Sequence, residues 1–429
     1  MDADDLCPLF VGTTTAGLSL DAPVTLSADD RRRHLHIIGK TGTGKSTLQF
    51  SFMLQDLAAG RGFALLDPHG DLAQGVIDCV PAHRINDVLY LNPADLEHPV
   101  AFNILDNVAP DGRALVTAHV VAAFKHVWPD NWGPRLEQIL RNSVALLLDT
   151  PGSTLLGLSR VLVDDEYRTR LLRACKNPIV RTFWTQQVTE WGDKFSAEAL
   201  SPVQNKVDAL LSPPILRNII GQPRSTVDLP KIMNGRRVLI ANLSKAALGE
   251  GPAHLLGAFL ATAFAQAAEA RATIPEQERV DFSLYVDEFQ NFATDSFATI
   301  LSEARKWRLC LSLSHQFIGQ LDEQLREAVL GNVGSLIAFR IGAKDADRIA
   351  SEMGLENADA LTALPNFDAW VTLMKGGNPA GAQRVRTQTP LPENMGTLPA
   401  VVARTRARHT RSRVDVERKI MRFLNEAHE

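Results

Sequence analysis

A nine-residue stretch near the start of the chain constrains its fold more than any other feature. Residues 39–47 read GKTGTGKST, which fits the pattern G-x-x-x-x-G-K-S/T. An apolar run at residues 35–38 precedes this stretch, and the apolar spacing of a helix follows it over residues 46–59. A strand before and a helix after are the context that the phosphate-binding loop of P-loop NTPases requires. The sequence therefore predicts a P-loop NTPase with an α/β fold.

The chemistry predicted for this loop follows from its residue types. Glycines let successive backbone N–H groups turn towards phosphate oxygens, and the amino terminus of the next helix adds a favourable dipole. Lys45 is expected to reach the β- and γ-phosphates, Ser46 to bind Mg²⁺ through its hydroxyl group, and Thr47 to contact the α-phosphate. The residues predicted to bind the nucleotide are Gly39, Thr41, Gly42, Thr43, Gly44, Lys45, Ser46 and Thr47.

Apolar runs alternate with helical patterns along much of the chain, which is typical of β–α–β units on a parallel sheet. We expect a RecA-like, mostly parallel sheet with helices on both faces. A last hairpin around residues 369–378 is expected at the sheet edge, because Gly376 and Gly377 suit a tight turn. The other predicted strands cover residues 35–38, 63–66, 88–91, 238–241, 283–286, 309–313 and 336–339.

Residues 111–221 have a different pattern from the rest. Strand-like runs are missing there, and helical spacing dominates, as at Leu136, Leu140 and Val144. This pattern predicts an all-helical insertion in the α/β domain. The predicted organisation is an N-terminal segment (1–24), a first part of the ATPase domain (25–109), the all-helical insertion (110–222), a second part of the ATPase domain (223–390) and a basic helical tail (391–429).

Two acids end the apolar run at residues 283–286 and form the predicted second half of the site. Asp287 is expected to hold Mg²⁺ from its second shell, as a Walker B aspartate does. Glu288 is expected to be the general base or to orient the attacking water. Two acids at a strand end are often only a solvated terminus, but the loop upstream favours the catalytic interpretation. A water-activating base favours an ATPase over a small-molecule kinase.

A GTPase is the main competing interpretation of these motifs. Residues 67–70 match the DxxG motif of GTPases, and residues 205–208 match their guanine-reading NKxD motif. NKxD must follow a buried strand to lie beside the base. Here Val203, Val207 and Leu210 have the spacing of a helix, and the polar residues of the motif lie off that apolar stripe. We therefore expect ATP rather than GTP.

Two further polar residues are candidates for the same site. Gln316 ends the strand that follows Asp287 and Glu288, where it can hydrogen-bond the γ-phosphate or the attacking water. Arg305, on the helix before that strand, is a candidate arginine finger supplied to a neighbouring subunit. Single Arg and Gln residues are usually surface residues, so both assignments depend on the rest of the site.

Composition excludes several classes of protein. Its 45% hydrophobic and 22% charged residues are those of a soluble globular protein. No apolar stretch reaches the roughly 18 residues of a membrane span, and residues 1–5 are acidic, unlike the start of a signal peptide. The four cysteines show no CxxC spacing, so neither a zinc site nor a disulfide framework is predicted. We expect a cytoplasmic protein without an integral membrane segment.

The motifs together resemble those of the HerA–FtsK superfamily of ring ATPases. The resemblance runs from about residue 25 to residue 374 and includes the helical insertion. It is greatest to the type IV coupling proteins of conjugation (the TraG, TraD and TrwB group) and to HerA-like DNA translocases. The Walker motifs are generic, whereas the Asp-Pro-His-Gly-Asp strand end at residues 67–71, Arg305 and Gln316 are more specific.

The resemblance implies a homohexameric ring with ATP sites between subunits, which moves double-stranded DNA through a central channel without reading its sequence. The implied roles are nucleotide and metal binding for Lys45 and Ser46, Walker B for Asp287 and Glu288, motif III for Gln316, and arginine finger for Arg305, with Arg340 on the following strand as a second candidate for the finger. The candidates for the pore lining are Lys194, Arg217 and Lys245.

Three functions remain open from the sequence. The first is an ATP-driven DNA translocase, which the arginines between residues 404 and 413 favour. The second is a type IV secretion assembly ATPase that never binds DNA, which the net charge of -4 slightly favours. The third is a ring ATPase that regulates a partner nuclease or effector. Membrane coupling proteins begin with transmembrane helices and HerA with a barrel, and residues 1–24 predict neither, so we expect a nearly bare motor core.

Overall fold

The computed structural model of the chain describes residues 8–15, 21–294, 297–388, 390 and 394–425. These residues form two compact units. The sheet unit comprises Met1–Leu91, Leu229–Ser244 and Ala261–Arg404, and the helical unit comprises Asn92–Asp228, Lys245–Leu260 and Thr405–Glu429. The five segments predicted from the sequence stay a prediction, because a compact unit is not by itself an independent domain.

The sheet unit is built on one mixed sheet, with eleven strands among the described residues. The strands of the structure are β1 (Leu9–Thr14), β2 (Pro23–Leu26), β3 (Leu35–Ile38), β4 (Gly62–Asp67), β5 (Val88–Leu91), β6 (Val238–Asn242), β7 (Phe282–Val286), β8 (Leu309–His315), β9 (Ser335–Ala338), β10 (Asp368–Thr372), β11 (Met374–Lys375), β12 (Asn378–Pro379) and β13 (Gln383–Thr387). Their order in the sheet is β2-β1-β13-β10-β9-β3-β8-β7-β4-β6-β5, and β11 and β12 pair separately.

The strands from β9 to β5 in this order are parallel, and β10, β13, β1 and β2 are antiparallel to their neighbours.

The helices are α1 (Ala28–Arg31), α2 (Lys45–Ala58), α3 (Asp71–Asp78), α4 (Arg113–Val127), α5 (Pro134–Leu148), α6 (Gly157–Val163), α7 (Asp165–Ala174), α8 (Pro178–Thr182), α9 (Val188–Glu190), α10 (Gly192–Leu211), α11 (Pro214–Ile220), α12 (Leu229–Asn234), α13 (Lys245–Leu248), α14 (Glu250–Glu269), α15 (Phe297–Glu303), α16 (Glu323–Asn332), α17 (Ala343–Met353), α18 (Asp359–Thr362), α19 (Leu398–His409) and α20 (Arg413–Asn425).

The core of the sheet unit lies on both faces of the parallel strands. Every residue of β4 and β7 is buried, as expected for strands covered on both sides. Ile37 and Ile38 are successive residues of β3 and therefore point to opposite faces. Ile37 packs in a cluster with Phe52 of α2, and Ile38 packs in another with Ile349 of α17. The predicted α/β fold, with helices on both faces of a mostly parallel sheet, is confirmed.

The helical unit is all-helical over most of its length, as the sequence predicts. Val203 and Val207 of α10 are buried, whereas Asn205 of the NKxD match is exposed. Asp208, the last residue of that match, accepts a hydrogen bond from Ser159 Oγ at 2.7 Å. The match therefore lies within a helix and has a local structural role. None of the described helices combines the length and apolarity needed to cross a membrane.

Two features of the sheet differ from the sequence prediction. The sequence does not predict β1 and β2, because their pairing depends on residues far along the chain. Gly12 of β1 lies so close to β13 that a Cβ atom would be 2.2 Å from the carbonyl oxygen of Arg386. The hairpin predicted at the sheet edge is also wrong in position. Strand β13 pairs with β10 on one side and with β1 on the other, so β2 forms the edge.

Candidate nucleotide-binding site

The predicted site lies at the carboxyl-terminal edge of the parallel strands, where α/β proteins commonly bind ligands. Hydrogen bonds between successive strand ends bring the motifs together. Gly39 N donates to His315 O at 3.3 Å, which joins the end of β3 to the end of β8. Asp287 N donates to Leu66 O at 3.1 Å, which joins the end of β7 to β4. The loop and the two acids are therefore neighbours.

The loop has the backbone conformation that its glycines permit. Gly42 and Gly44 have φ angles of 75° and 124°, in the region that favours glycine. Gly44 caps the amino terminus of α2, and a Cβ atom there would lie 3.0 Å from the ring of Phe339 and 3.1 Å from that of Phe367. Thr43 is buried, and its Oγ1 donates to a carbonyl oxygen of the loop at 2.7 Å. The loop thus holds its shape through its own contacts.

Lys45 is a buried cation whose hydrogen bonds go to carbonyl oxygens. Its Nζ donates to Gly39 O at 2.7 Å and to Lys40 O at 3.4 Å. Glu288 Oε1 is 4.0 Å away. Burial lowers the pKa of Lys45, and the charges of Glu288 and Asp287 partly oppose that change. Carbonyl oxygens compensate a buried positive charge less well than an anion does, so the position fits a phosphate group.

Asp287 is the corresponding buried anion. Burial raises its pKa, and the charges of Asp67 and Glu288 raise it further, while Ser314 and the charge of Lys45 lower it. Ser46 Oγ donates to Asp287 Oδ2 at 3.4 Å. A buried carboxylate beside a hydroxyl group fits a hard divalent cation, and Mg²⁺ commonly takes only one or two protein oxygens in addition to phosphates and waters. No group of three or more His, Cys, Asp or Glu side chains that could hold a metal occurs in the described ranges.

Glu288 is held in an unusual backbone conformation with both carboxylate oxygens occupied. Its φ of 44° is left-handed, and Asn291 Nδ2 donates to its carbonyl oxygen at 2.8 Å. Gln316 Nε2 donates to Oε1 at 3.1 Å, and Gln290 Nε2 donates to Oε2 at 2.8 Å. The structure thus places the predicted Gln316 beside the predicted Glu288. The sequence analysis missed Gln290, although an amide two residues after a Walker B pair was a signal for it.

Asp67 has a structural role that explains the DxxG match. Its Oδ1 accepts from His69 N at 2.9 Å, and its Oδ2 accepts from Ala73 N at 2.8 Å. Both oxygens therefore stabilise the turn from β4 into α3. Gly70 in this turn has a φ of 94°, and a Cβ atom there would lie 2.7 Å from Asn242 Oδ1. The glycine is required by backbone geometry and close packing.

Arg340 is not on the strand where the sequence analysis expected it. Strand β9 ends at Ala338, and Arg340 follows in the turn. Its Nη1 donates to Leu364 O and its Nη2 to Asn366 Oδ1, both at 2.9 Å. Its carbonyl oxygen accepts from Lys40 N at 2.8 Å. Arg340 therefore supports the loop of its own chain through the backbone, while its side chain is held by the segment before β10.

Arg305 lies away from the loop of its own chain. It is not on a helix, as expected, but in the short 3-10 turn Ala304–Trp307 between α15 and β8. This turn precedes β8, whereas the loop lies beyond the other ends of the parallel strands, and a seven-residue strand such as β8 spans roughly 20 Å. The Arg305 side chain is exposed. The structure therefore brings Glu288 and Gln316 to the loop but not Arg305.

One family model matches part of this chain. Residues 9–119 match the family model described as the central domain of helicase HerA. The match covers the strands from β1 to β5, with the phosphate-binding loop between them. No curated protein sequence matches the chain.

Solved structures share the fold over nearly the whole chain. A bacterial conjugative coupling protein, TrwB, has a TM-score of 0.64 at 15% identity, with 90% of each chain covered. TrwB in complex with ADP and Mg²⁺ has a TM-score of 0.62 at 16% identity, covering 89% of this chain and 90% of TrwB. VirB4 of Thermoanaerobacter pseudethanolicus has a TM-score of 0.59 at 14% identity, covering 91% of this chain and 98% of VirB4. The predicted resemblance is confirmed.

The three residues suggested by the coupling-protein resemblance for a pore lie in the helical unit. Arg217 of α11 donates to Ser212 O at 3.3 Å. Lys245, the first residue of α13, lies 3.5 Å from Glu250 Oε1. Lys194 belongs to α10, in a part where side chains lie outside the described residues. A pore role for these residues stays a prediction.

Proposed function

We propose that this chain is an Mg²⁺-dependent ATPase that works as a ring motor on DNA. One observation carries the ATPase part, namely the convergence of Lys45, Ser46, Asp287 and Glu288 at one sheet edge. TrwB, which has the same fold, is known in complex with ADP and Mg²⁺ and with a non-hydrolysable ATP analogue. We infer the same ligands for this chain because the buried cation and the buried anion each lack a full counter-charge.

The roles in nucleotide binding follow from the geometry. Lys45 exchanges its carbonyl partners for β- and γ-phosphate oxygens, and the loop N–H groups hold the same phosphates. Ser46 and Asp287 would hold the metal ion. Mg²⁺, when bound, neutralises charge that develops on the phosphate oxygens. Thr43 keeps its hydroxyl group bonded inside the loop, so we assign its contribution to the backbone.

Glu288 is the proposed acceptor of a proton from the attacking water, since it is the carboxylate beside Lys45 at the loop. Gln316, which bonds Glu288, is the proposed contact to the γ-phosphate or the water. ATP is the proposed nucleotide because the only NKxD match lies within α10. TrwB is also known with a GTP analogue, so both nucleotides belong in the test.

The position of Arg305 supports sites shared between subunits. An exposed arginine at the edge away from its own loop is free to enter the site of a neighbour, and an arginine supplied in trans commonly stabilises phosphoryl transfer. Arg340 is less suited to this role because its guanidinium group already bonds Leu364 and Asn366. We therefore favour Arg305 as the finger and a closed ring as the assembly.

The DNA part of the proposal rests on the HerA and coupling-protein likeness. The basic tail gives it less support than the sequence suggests, because its Arg406 and Arg413 form ion pairs within the helical unit. Arg406 pairs with Asp95 at 2.7 Å, and Arg413 pairs with Glu97 at 3.2 Å and with Glu417 at 2.9 Å. A secretion assembly ATPase and a regulatory ring ATPase remain the alternatives. Measuring DNA binding and DNA-stimulated hydrolysis distinguishes a DNA motor from both of them.

The deciding experiment measures ATP and GTP hydrolysis by the full chain with Mg²⁺, alone and with double- or single-stranded DNA. Lys45→Ala should lose nucleotide binding, and Glu288→Gln should bind ATP without hydrolysing it. The exposed Glu352→Gln is the matched control and should behave as wild type. Unchanged hydrolysis in Glu288→Gln would remove Glu288 as the base, and a wild-type chain without hydrolysis would remove the ATPase proposal. If DNA does not stimulate hydrolysis and the chain does not bind DNA, the ATPase proposal stands and the DNA-motor proposal is removed.

A further inference from the structure

The carboxylate of Glu288 is bonded differently at its two oxygens. Oε2 accepts from Gln290 Nε2 at 2.8 Å. Oε1 accepts from Gln316 Nε2 at 3.1 Å and lies 4.0 Å from Lys45 Nζ. An ionised carboxylate only accepts hydrogen bonds, so both amides must turn their N–H groups towards it. The two amides therefore approach the same group from two sides, and only one side also faces the loop lysine.

The chain conformation fixes Gln290 in this place. The left-handed conformation of Glu288 starts the short 3-10 turn Phe289–Asn291, which brings Gln290 back beside the side chain of Glu288. Phe289 anchors the turn, since its buried ring stacks on His315 with a centroid distance of 5.1 Å. Left-handed backbone at a non-glycine residue is unfavourable by about 1 kcal/mol, and such conformations cluster at functional sites.

Gln290 has no second task in the described part of the chain. Its Nε2 bonds Glu288, and its Oε1 is buried without a hydrogen-bond partner there. A glutamine that served only to connect two elements would use both ends of its amide. Here one acceptor is left unsatisfied, which is normally unfavourable in a buried position. The position of the side chain therefore follows from Glu288 alone.

We propose that Gln290 is a positioning residue that holds Glu288 Oε2 while Oε1 acts as the base. This inference rests on the proposed ATPase function. Gln316 and Lys45, the two groups near Oε1, are the groups assigned to the γ-phosphate. When they turn to the nucleotide, Oε1 becomes free for the attacking water, whereas the Gln290 bond to Oε2 persists.

The reaction then proceeds from a fixed geometry. The water oxygen bonds the γ-phosphorus as the bond from that phosphorus to the β–γ bridging oxygen breaks. One water proton passes to Oε1 and from there to the released phosphate. ADP carries the electrons of the broken bond. Gln290 never touches the reacting atoms in this scheme, but it sets the direction in which Oε1 points.

The test compares Gln290→Met, which keeps the length and removes the donor, with wild type and with the exposed matched control Gln388→Met. We expect kcat to fall about 10-fold or more, with KM for ATP and ATP binding unchanged, because only the general base is misplaced. Gln388→Met should match wild type in all three measurements.

Unchanged kcat in Gln290→Met would overturn this inference while leaving the ATPase intact. A wild-type chain without hydrolysis would overturn both. Gln290→Ala provides a second reading if the methionine variant fails to fold, which thermal unfolding of both variants would show. A rise in KM with unchanged kcat would also contradict the inference, because it would place Gln290 in nucleotide binding.

Discussion

Ser314 Oγ donates a hydrogen bond to Asp287 Oδ1 at 2.5 Å across the ends of the neighbouring strands β8 and β7. This bond favours the charged form of Asp287, but burial has the larger, opposite effect and raises the pKa of the carboxyl group. In the absence of a cation, an ionised Asp287 therefore reduces the stability of the fold. The buried carboxylate suits a metal ion, but it lowers the stability of the protein when no metal or nucleotide is bound.

This balance predicts opposite effects of Asp287→Asn on stability and on activity. The folded-state pKa of Asp287 is raised, so its ionised form disfavours folding at pH values above that pKa, and an uncharged amide removes this effect. We expect a melting temperature at pH 8 that is higher by about 1 °C or more, and Mg²⁺-dependent hydrolysis at least about 100-fold slower. Calorimetry and a phosphate-release assay measure the two. The exposed Asp111→Asn should change neither, and a lower melting temperature in Asp287→Asn would contradict the prediction.

Gly44→Ala should prevent nucleotide binding without unfolding the chain. Gly44 has a φ of 124°, and an added Cβ atom would meet the rings of Phe339 and Phe367 at 3.0 and 3.1 Å. The backbone must therefore move where it faces the phosphates, and we expect the affinity for ATP to fall about 10-fold or more. Gly354→Ala is the matched control, because Gly354 also has a positive φ of 67° but open space around it. It should lose about 1 kcal/mol of stability and keep ATP affinity. Equal ATP binding by both variants, measured by titration calorimetry, would contradict this account.

The sequence was sufficient for the parts of the site that are local in the chain. The loop, Asp287 and Glu288 each lie within a short segment whose pattern also specifies its strand and helix, so their convergence at one sheet edge follows from parallel topology. The contact of Gln316 with Glu288 could also be predicted from the sequence, because both residues follow neighbouring strands.

The rest depends on contacts between distant segments, which single-sequence patterns do not contain. Strand β1 has no regular strand pattern of its own, because its partner β13 lies more than 350 residues later, where Gly12 pairs with Thr387. The side-chain bonds of Arg340 depend on Leu364 and Asn366, and no local pattern links these residues. The sequence places an amide at Gln290, but the contact of this amide with Glu288 depends on the left-handed backbone of Glu288, which no local pattern specifies.

We expect the folded chain to lose stability in mild acid because of His34. Its Nδ1 accepts from Leu311 N at 3.1 Å, and its Nε2 bonds Leu301 O at 3.1 Å, so the neutral ring is the form that fits. Its pKa is lowered to about 4, mainly by burial and to a smaller extent by the charge of Arg305, while the hydrogen bond to Leu301 O raises it. Because the pKa is lower in the folded state, neutral His34 contributes fully to the free energy of unfolding above pH 6.5. This contribution is lost as the pH falls from 6.5 towards 4.

Urea unfolding of His34→Asn between pH 7.5 and 4.5 tests this prediction. Asparagine tolerates the positive φ of His34, which is 67°. The variant should be less stable than wild type at pH 7.5, and the difference should shrink by up to about 1.4 kcal/mol per pH unit below 6.5. His69→Asn replaces an exposed histidine and should leave the pH dependence unchanged. Parallel curves for wild type and His34→Asn would rule out this role for His34.

Mixing two inactive variants tests whether each site takes Arg305 from a neighbour. Arg305→Ala and Glu288→Gln should each be inactive alone in hydrolysis but should bind ATP. In a mixed ring, a subunit that keeps Glu288 can lie beside one that keeps Arg305, and roughly a quarter of the interfaces are then complete. Phosphate release should therefore recover in the mixture. Arg340→Ala in place of Arg305→Ala is the control. Its side chain bonds Leu364 and Asn366 of its own chain, so mixing it with Glu288→Gln should not raise phosphate release above that of the two variants measured alone. Full activity of Arg305→Ala alone would exclude it as the finger.

A cleft in the helical unit predicts where DNA phosphates bind if the chain is a DNA motor. The turn at residues 221–224 and helix α20 enclose a cavity of about 290 Å³, which Arg224, Arg411 and Lys419 line. None of these three side chains has an ion pair or hydrogen bond in the described part of the chain, whereas Asp415 beside them pairs with Arg418 at 3.1 Å. Cations gathered without counter-charges favour an anion, and phosphates of a nucleic acid backbone suit a sequence-independent grip.

Replacing Arg411 and Lys419 by Ala should therefore weaken DNA binding at 100 mM salt about 10-fold. The magnitude of the slope of log affinity against log salt should fall by about 2, because each lost phosphate contact removes about 0.9 from it. Fluorescence anisotropy with a labelled duplex at several salt concentrations measures both. Lys176→Ala with Lys375→Ala removes the same charge from exposed positions outside the cleft and should change the slope little. ATP hydrolysis without DNA should stay at the wild-type rate in both double variants, because neither pair touches the loop. Equal slopes for the two double variants would mean that only net charge acts, and the cleft would then have no part in holding DNA.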